Sequence, residues 1–231
     1  FASSCSVYGS AAEGKRPESA ALNPLTAYAV SKVSAEKALS KFASDNYAIT
    51  CLRFATACGF SPRLRLDLVL NDFVATALSK GKIEILSDGT PWRPLIHVKD
   101  MARALFWASI RNKSDGGNFL VVNTGSDKWN YQIKDLAQGV KKVMKGVVID
   151  INENAQPDKR SYMVDFNRFK ELAPDYYPIV NLQEAVEDLV SGLEGIDFND
   201  EHFRDSDLIR FNVLRKHVEN GRMDKNLEWI N

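Results

Sequence analysis

Apolar positions recur along this chain with two periods, and the switch between them marks out strands and helices. Residues 1–8 alternate small and apolar side chains, with Val7 and Tyr8 near the end and Gly9 as a stop. This predicts a buried strand emerging into a loop. Residues 10–24 are polar, carry Pro17 and Pro24, and read as a loop. Thr26 stands where an N-cap belongs, before a helical pattern from Ala27 to about Phe42. The run AITCLRF over 48–54 predicts a second strand. Gly59, Pro62, Arg63 and Arg65 make an irregular link to a helix near Leu68–Lys80. Further strands are predicted over 82–86, 94–98, 118–124 and 147–151, with a turn at Asp88-Gly89-Thr90 and a stop at Gly125. Helices are predicted over Met101–Ile110 and Ile133–Val143, then near 167–173 and 182–193. In the tail, Leu208, Phe211, Leu214 and Val218 fall at helical spacing, the mark of an amphipathic helix.

Strands alternating with helices argue an α/β fold with a Rossmann-like parallel sheet covered by helices. The glycine-rich G-x-G-x-x-G turn that opens such a fold on a dinucleotide is absent from the sequence. The fold is therefore expected to lack its first, phosphate-cradling βαβ units.

Composition narrows the picture. The 231 residues are 45% hydrophobic and 26% charged, which excludes disorder and suffices for one core or two small ones. Thirty basic residues balance thirty acidic ones, so neither nucleic acid nor a membrane surface is an expected partner. No apolar run approaches the roughly 18 residues of a bilayer span. Cys5, Cys51 and Cys58 lack CxxC spacing, and His97, His202 and His217 are far apart. Neither a disulfide framework nor a metal site is expected, and the compartment reads as a reducing cytoplasm. The chain opens at Phe1 with no signal-peptide pattern, and FASSCSVYGS reads as a cut into something longer.

The chemistry concentrates at two residues. Tyr28 and Lys32 lie four apart on a predicted helix and so share a face. An ammonium near a phenol favours the phenolate, and such a Tyr can exchange a proton with a carbinol or carbonyl oxygen. Ser3 and Ser4 sit near the end of the preceding strand, where side chains of a parallel sheet reach the ligand crevice. A Ser hydroxyl there can bond the same oxygen.

In this setting the sequence resembles the extended short-chain dehydrogenases/reductases of the NAD-dependent epimerase/dehydratase type, which act on nucleotide sugars. The residues that carry the resemblance are FASSCSVYG (1–9), TAYAVSK (26–32) with Glu36, LRFATACG (52–59), ILSDGTPWRPLIHVKDMARA (85–104) and VVNTG (121–125). KRSYMVDFNRFKEL (159–172) is similar to a later family segment, and the resemblance runs to about Trp229.

The resemblance implies a Ser4–Tyr28–Lys32 triad, with Tyr28 as acid/base and Lys32 holding the nicotinamide ribose. It implies that Phe54 and Ala55 line the nicotinamide of a bound NAD, with NADP as the other candidate. It implies that Arg93 pairs with the diphosphate of a nucleotide-diphosphate sugar, a task that suits a planar bidentate donor. Thr56, where many relatives carry Asn, together with Asn71 and Arg160, would contact substrate, while His97 would be structural. The 4,6-dehydratases of the family carry an Asp-Glu pair where this chain has Cys5 and Ser6, so epimerase or reductase chemistry ranks above dehydration, and a 4-epimerase is the leading reading. A 4-keto reductase, a 4,6-dehydratase and a non-catalytic nucleotide-sugar-binding protein are the alternatives. Residues 1–55 would complete the Rossmann-like domain. Residues 56–231 would form mainly a smaller α/β substrate domain, with about 92–125 returning to the first. Roughly 120 residues with the glycine-rich turn would precede Phe1, and a homodimer is expected.

Overall fold

The computed structural model describes residues 1–10, 14–152, 154–155 and 161–230. Chain order begins with β1 (Ala2–Ser4), a short β2 (Lys15–Arg16), α1 (Ala27–Ser40), β3 (Ile49–Phe54), β4 (Thr56–Cys58) and α2 (Val69–Lys80). It continues with β5 (Lys82–Ile85), β6 (Trp92–His97), α3 (Val98–Ile110), β7 (Phe119–Thr124), β8 (Asn130–Gln132) and α4 (Ile133–Val143). The last elements are β9 (Val148–Ile151), β10 (Met163–Val164), α5 (Asn167–Leu172), α6 (Leu182–Glu194) and α7 (Arg210–Glu219).

The expected parallel sheet is present in the order β1-β3-β7, with Ser4 beside Phe54 and Phe54 beside Thr124. β4 runs parallel to β6, which also pairs antiparallel with β8; β5 pairs with β9 and β2 with β10, both in parallel. No helix among the described residues is long and apolar enough to cross a membrane.

Two cores result. One packs under β1-β3-β7 and gathers Val7, Leu52, Trp107, Val122, Phe166 and Phe169. The other gathers Leu70, Phe73, Ile83, Leu136, Leu189 and Phe203. β6 feeds both, because Leu95 and Ile96 point to opposite faces of one strand: Leu95 enters the second core and Ile96 the first.

Three local expectations change. The first strand ends at Ser4 rather than running on to Tyr8. Ser4 Oγ accepts from the Ser6 N–H at 3.1 Å and so caps a 3-10 turn over Cys5–Tyr8. α3 starts at Val98, three residues early, because the His97 ring accepts from Lys99 N. In the tail a helix forms, but only part of its apolar stripe is covered, with Leu214 and Val218 half-buried. Phe211 is 70% exposed while Asn212 is buried, because Asn212 Nδ2 donates to the carbonyls of Arg204 and Ser206.

A buried polar network seats α1 on the sheet. Glu36 of α1 accepts from Arg53 of β3, Nε to Oε1 at 3.0 Å and Nη2 to Oε2 at 2.7 Å, and from Ser3 Oγ of β1 at 2.5 Å. Arg53 Nη1 donates to Tyr8 Oη at 3.1 Å, and Tyr8 donates on to Asn123 Oδ1 of β7 at 2.7 Å. One carboxylate thus ties a helix to all three strands.

A second tie joins the end of β6 to α6. With His97 Nδ1 accepting from Lys99 N, Nε2 carries the proton and donates to Asp188 at 3.2 Å. Gly59 lies against that ring with φ +104, and a Cβ there would stand 2.3 Å from Nε2. Gly59→Ala is therefore expected to cost about 2–4 kcal/mol, from backbone strain plus overpacking. Gly146→Ala, with φ +88 but open space around it, should lose only the strain. Urea unfolding midpoints of the two variants decide the matter, and equal losses would refute the steric account.

Candidate functional site

The site is built at the C-terminal ends of β1 and β3. The cap on α1 is as expected: Thr26 Oγ1 accepts from Ala29 N at 3.1 Å, which fixes the first turn and places Tyr28 at its start, 56% exposed. Lys32 follows on the same face, with Nζ 5.2 Å from the centre of the Tyr28 ring. It donates to the Ala2 carbonyl of β1 at 2.8 Å, so the ammonium bridges helix and strand edge. Ser4, half-buried, ends β1 in the same region; its Oγ accepts from Ser6 N, and its O–H has no acceptor among the described residues.

Beside this edge opens a cavity of about 640 Å³, inside the range of small-molecule sites. Thr56 and Arg93, both predicted as substrate contacts, stand on its wall together with Ser6, Thr26 and Tyr162. Arg93 Nη1 donates to the Trp92 carbonyl at 2.9 Å. Ser4 and Tyr28 are each two residues from a wall residue, Ser6 and Thr26 respectively.

Other predicted residues are placed elsewhere. Asn71 is not on the wall: it is buried, its Oδ1 accepting from Gly59 N and its Nδ2 donating to the Arg65 carbonyl. It staples the 59–65 loop. Phe54 and Ala55 are core residues of the β1-β3-β7 sheet. Arg160 lies outside the described residues. The three cysteines are buried and unpaired, and burial pushes the Cys51 thiol up to about 11 and those of Cys5 and Cys58 higher still. None is a ready nucleophile.

Two features escaped the sequence reading. Ser6 Oγ is buried without a hydrogen-bond partner among the described residues, and Ser6 lines the cavity. A buried orphan hydroxyl costs about 1–3 kcal/mol, a cost removed when a ligand supplies the partner. Arg204, from the tail, also lies on the wall with Asp72 and Glu84. Its Nε and Nη2 donate to the Asp72 carboxylate at 2.8 and 2.9 Å, and Nη1 donates to Glu84 at 3.2 Å. Those carboxylates, Asp72 foremost, hold the guanidinium pKa above its ordinary value. Ser6 falls inside the quoted SSCSVYG run, whereas no local pattern marks Arg204.

Against known proteins, a model of the NAD dependent epimerase/dehydratase family matches residues 1–125. YtcB of Bacillus subtilis (strain 168), described as an uncharacterized UDP-glucose epimerase, is 33% identical over 106 residues, covering 46% of this chain and 33% of that protein. Among solved structures, MoeE5 in complex with UDP-glucuronic acid and NAD is 26% identical with a TM-score of 0.70, over 84% of this chain and 64% of that one. UDP-glucuronic acid 4-epimerase from Bacillus cereus, in complex with UDP-glucuronic acid and NAD, is 25% identical with a TM-score of 0.70, over 84% and 60%. The chain thus spans a third of the curated relative's length and less than two thirds of the two solved ones.

Proposed function

The chain belongs to the NAD dependent epimerase/dehydratase family, and from that premise we propose that it carries the substrate-handling and proton-transfer groups of a nucleotide-sugar 4-epimerase. The observation that carries this reading is one cavity with Thr56 and Arg93 on its wall, together with Ser6 and Thr26, each two residues from Ser4 and Tyr28 respectively. The bound UDP-sugars of MoeE5 and of the Bacillus cereus epimerase support the substrate class.

In this reading Arg93 binds the diphosphate, and Thr56 and Ser6 offer hydroxyls to the sugar. Tyr28 removes the proton from the C4 hydroxyl and returns it, and Ser4 donates a hydrogen bond to the same oxygen. Lys32 favours the phenolate and holds a ribose hydroxyl. The chain's donors suit the nicotinamide end of NAD: an exposed phenol stands one helical turn from an ammonium bonded to β1, the strand that ends in Ser4. Bound NAD supplies the hydride exchange at C4. Cys5 and Ser6 offer no carboxylate for elimination, which favours epimerisation over 4,6-dehydration. The same reading includes a cytosolic location, in keeping with three unpaired thiols. It also includes a homodimer through α1, which exposes Val30.

The test is direct. The full-length protein should copurify with nicotinamide and, given UDP-glucose or UDP-glucuronate without added cofactor, produce the C4-inverted sugar by proton NMR. A strict need for added NADPH would replace the epimerase by a 4-keto reductase. No nicotinamide and no conversion would leave the binding protein.

A further inference from the structure

Among the described residues of the cavity wall five side chains are charged, the carboxylates Asp67, Asp72 and Glu84 and the guanidiniums Arg93 and Arg204, so carboxylates outnumber guanidiniums among them. A doubly anionic diphosphate is the ligand group proposed for this cavity, and bare carboxylates on its wall would repel it. Asp67 is already paired with Arg65, at 2.7 and 2.8 Å. Asp72 of α2 and Glu84 of β5 have Arg204 between them, and Glu84 also holds Lys82 at 2.6 Å.

The placement of Arg204 is built by the fold of the tail. Phe203, beside it, is buried in the second core and packs edge-to-face on Phe198 with ring centres 5.7 Å apart. Asn212 of α7, itself buried, donates to the Arg204 carbonyl at 2.8 Å. The guanidinium reaches back 132 residues to Asp72 and also donates to Thr76 Oγ1 at 3.1 Å. Donors on all three of its nitrogens are thus spent on the wall, so Arg204 acts as a mask over carboxylates rather than as a hand for the ligand.

We propose that Arg204 is a specificity-determining residue which, by neutralising Asp72 and Glu84, lets this cavity accept a nucleoside diphosphate rather than only an uncharged nucleoside. The proposal rests on the nucleotide-sugar reading above. It also makes a prediction of sign that a purely structural strut does not. Removing the two carboxylates while keeping Arg204 must tighten the diphosphate, whereas removing Arg204 must weaken it.

The experiment is calorimetric titration of the full-length protein with UDP and with uridine. Arg204→Ala should weaken UDP roughly tenfold at low salt, with the gap narrowing as ionic strength rises, and should leave uridine unchanged. Asp72→Asn with Glu84→Gln should bind UDP more tightly than the parent, and the triple variant should return to within about threefold of it. The carboxylate double variant keeps Arg204 in place and decides the sign even if Arg204→Ala fails to fold. Parent protein that binds no UDP overturns the nucleotide-sugar reading and this inference with it. Parent protein that binds UDP, with Arg204→Ala unchanged or with weaker binding in the carboxylate variant, overturns the role of Arg204 alone.

Discussion

Glu36→Ala is expected to destabilise the protein by about 3–5 kcal/mol, the loss typical of breaking a buried ion pair from one side. Both side chains of the pair are only 6% exposed. Arginine stays protonated in proteins, so Arg53 has no way to shed its charge once the carboxylate is gone. Two of its donors, Nε and Nη2, lose their acceptor, and so does Ser3 Oγ. The bonds to Tyr8 and to the Glu18 carbonyl would remain, but they carry no compensating charge. Replacing both partners, as in Glu36→Leu with Arg53→Met, should recover most of the loss, since paired removal leaves no orphan charge. The measurement is the urea midpoint of each full-length variant. A double variant as unstable as Glu36→Ala would show that packing, not charge, sets the cost.

With Tyr28 in the proposed acid/base role, Tyr28→Phe is expected to reduce turnover by the full-length protein by about 10²–10⁴-fold, the range for removing a positioned acid/base. The substitution deletes only the phenolic O–H. The ring that faces Lys32 Nζ at 5.2 Å stays, and so does the Lys32 bond to the Ala2 carbonyl. Affinity for UDP should therefore change little, because Tyr28 is not on the wall that carries Arg93. A steady-state kcat that falls while UDP binding holds identifies a proton-transfer group. Turnover within about threefold of the parent would remove Tyr28 from the chemistry.

How much of this was legible depends on the range of the interaction. The helix over Ile133–Val143 and the Thr26 cap emerge as the pattern predicts, because each is decided by residues within a turn or two. The same holds for Tyr28 and Lys32 sharing a face. The first strand was read too long because period two continues through Val7, while one hydroxyl, Ser4 Oγ, turns the backbone aside. The tail was read as an amphipathic helix with Leu208, Phe211, Leu214 and Val218 on one stripe. Its inward residue is Asn212, since carbonyls at Arg204 and Ser206 need a donor more than Phe211 needs cover. Asn71 has the right residue type for a ligand contact, but its amide is consumed by the loop it closes.

By itself the sequence determined the alternation of strands and helices, the family's motifs in order, and the pairing of Tyr28 with Lys32. All are local, and local periodicity states which face of an element is apolar and which residues lie one turn apart. Only the tertiary structure decided that Glu36 meets Arg53 across the sheet, that Thr56 and Arg93 share a wall with Ser6, and that Arg204 covers Asp72 and Glu84. Charged and hydroxyl side chains have no period of their own. Their partners are fixed when distant segments close on a common core, and that closure is set by the sum of burial over the whole chain rather than by any one stretch of it.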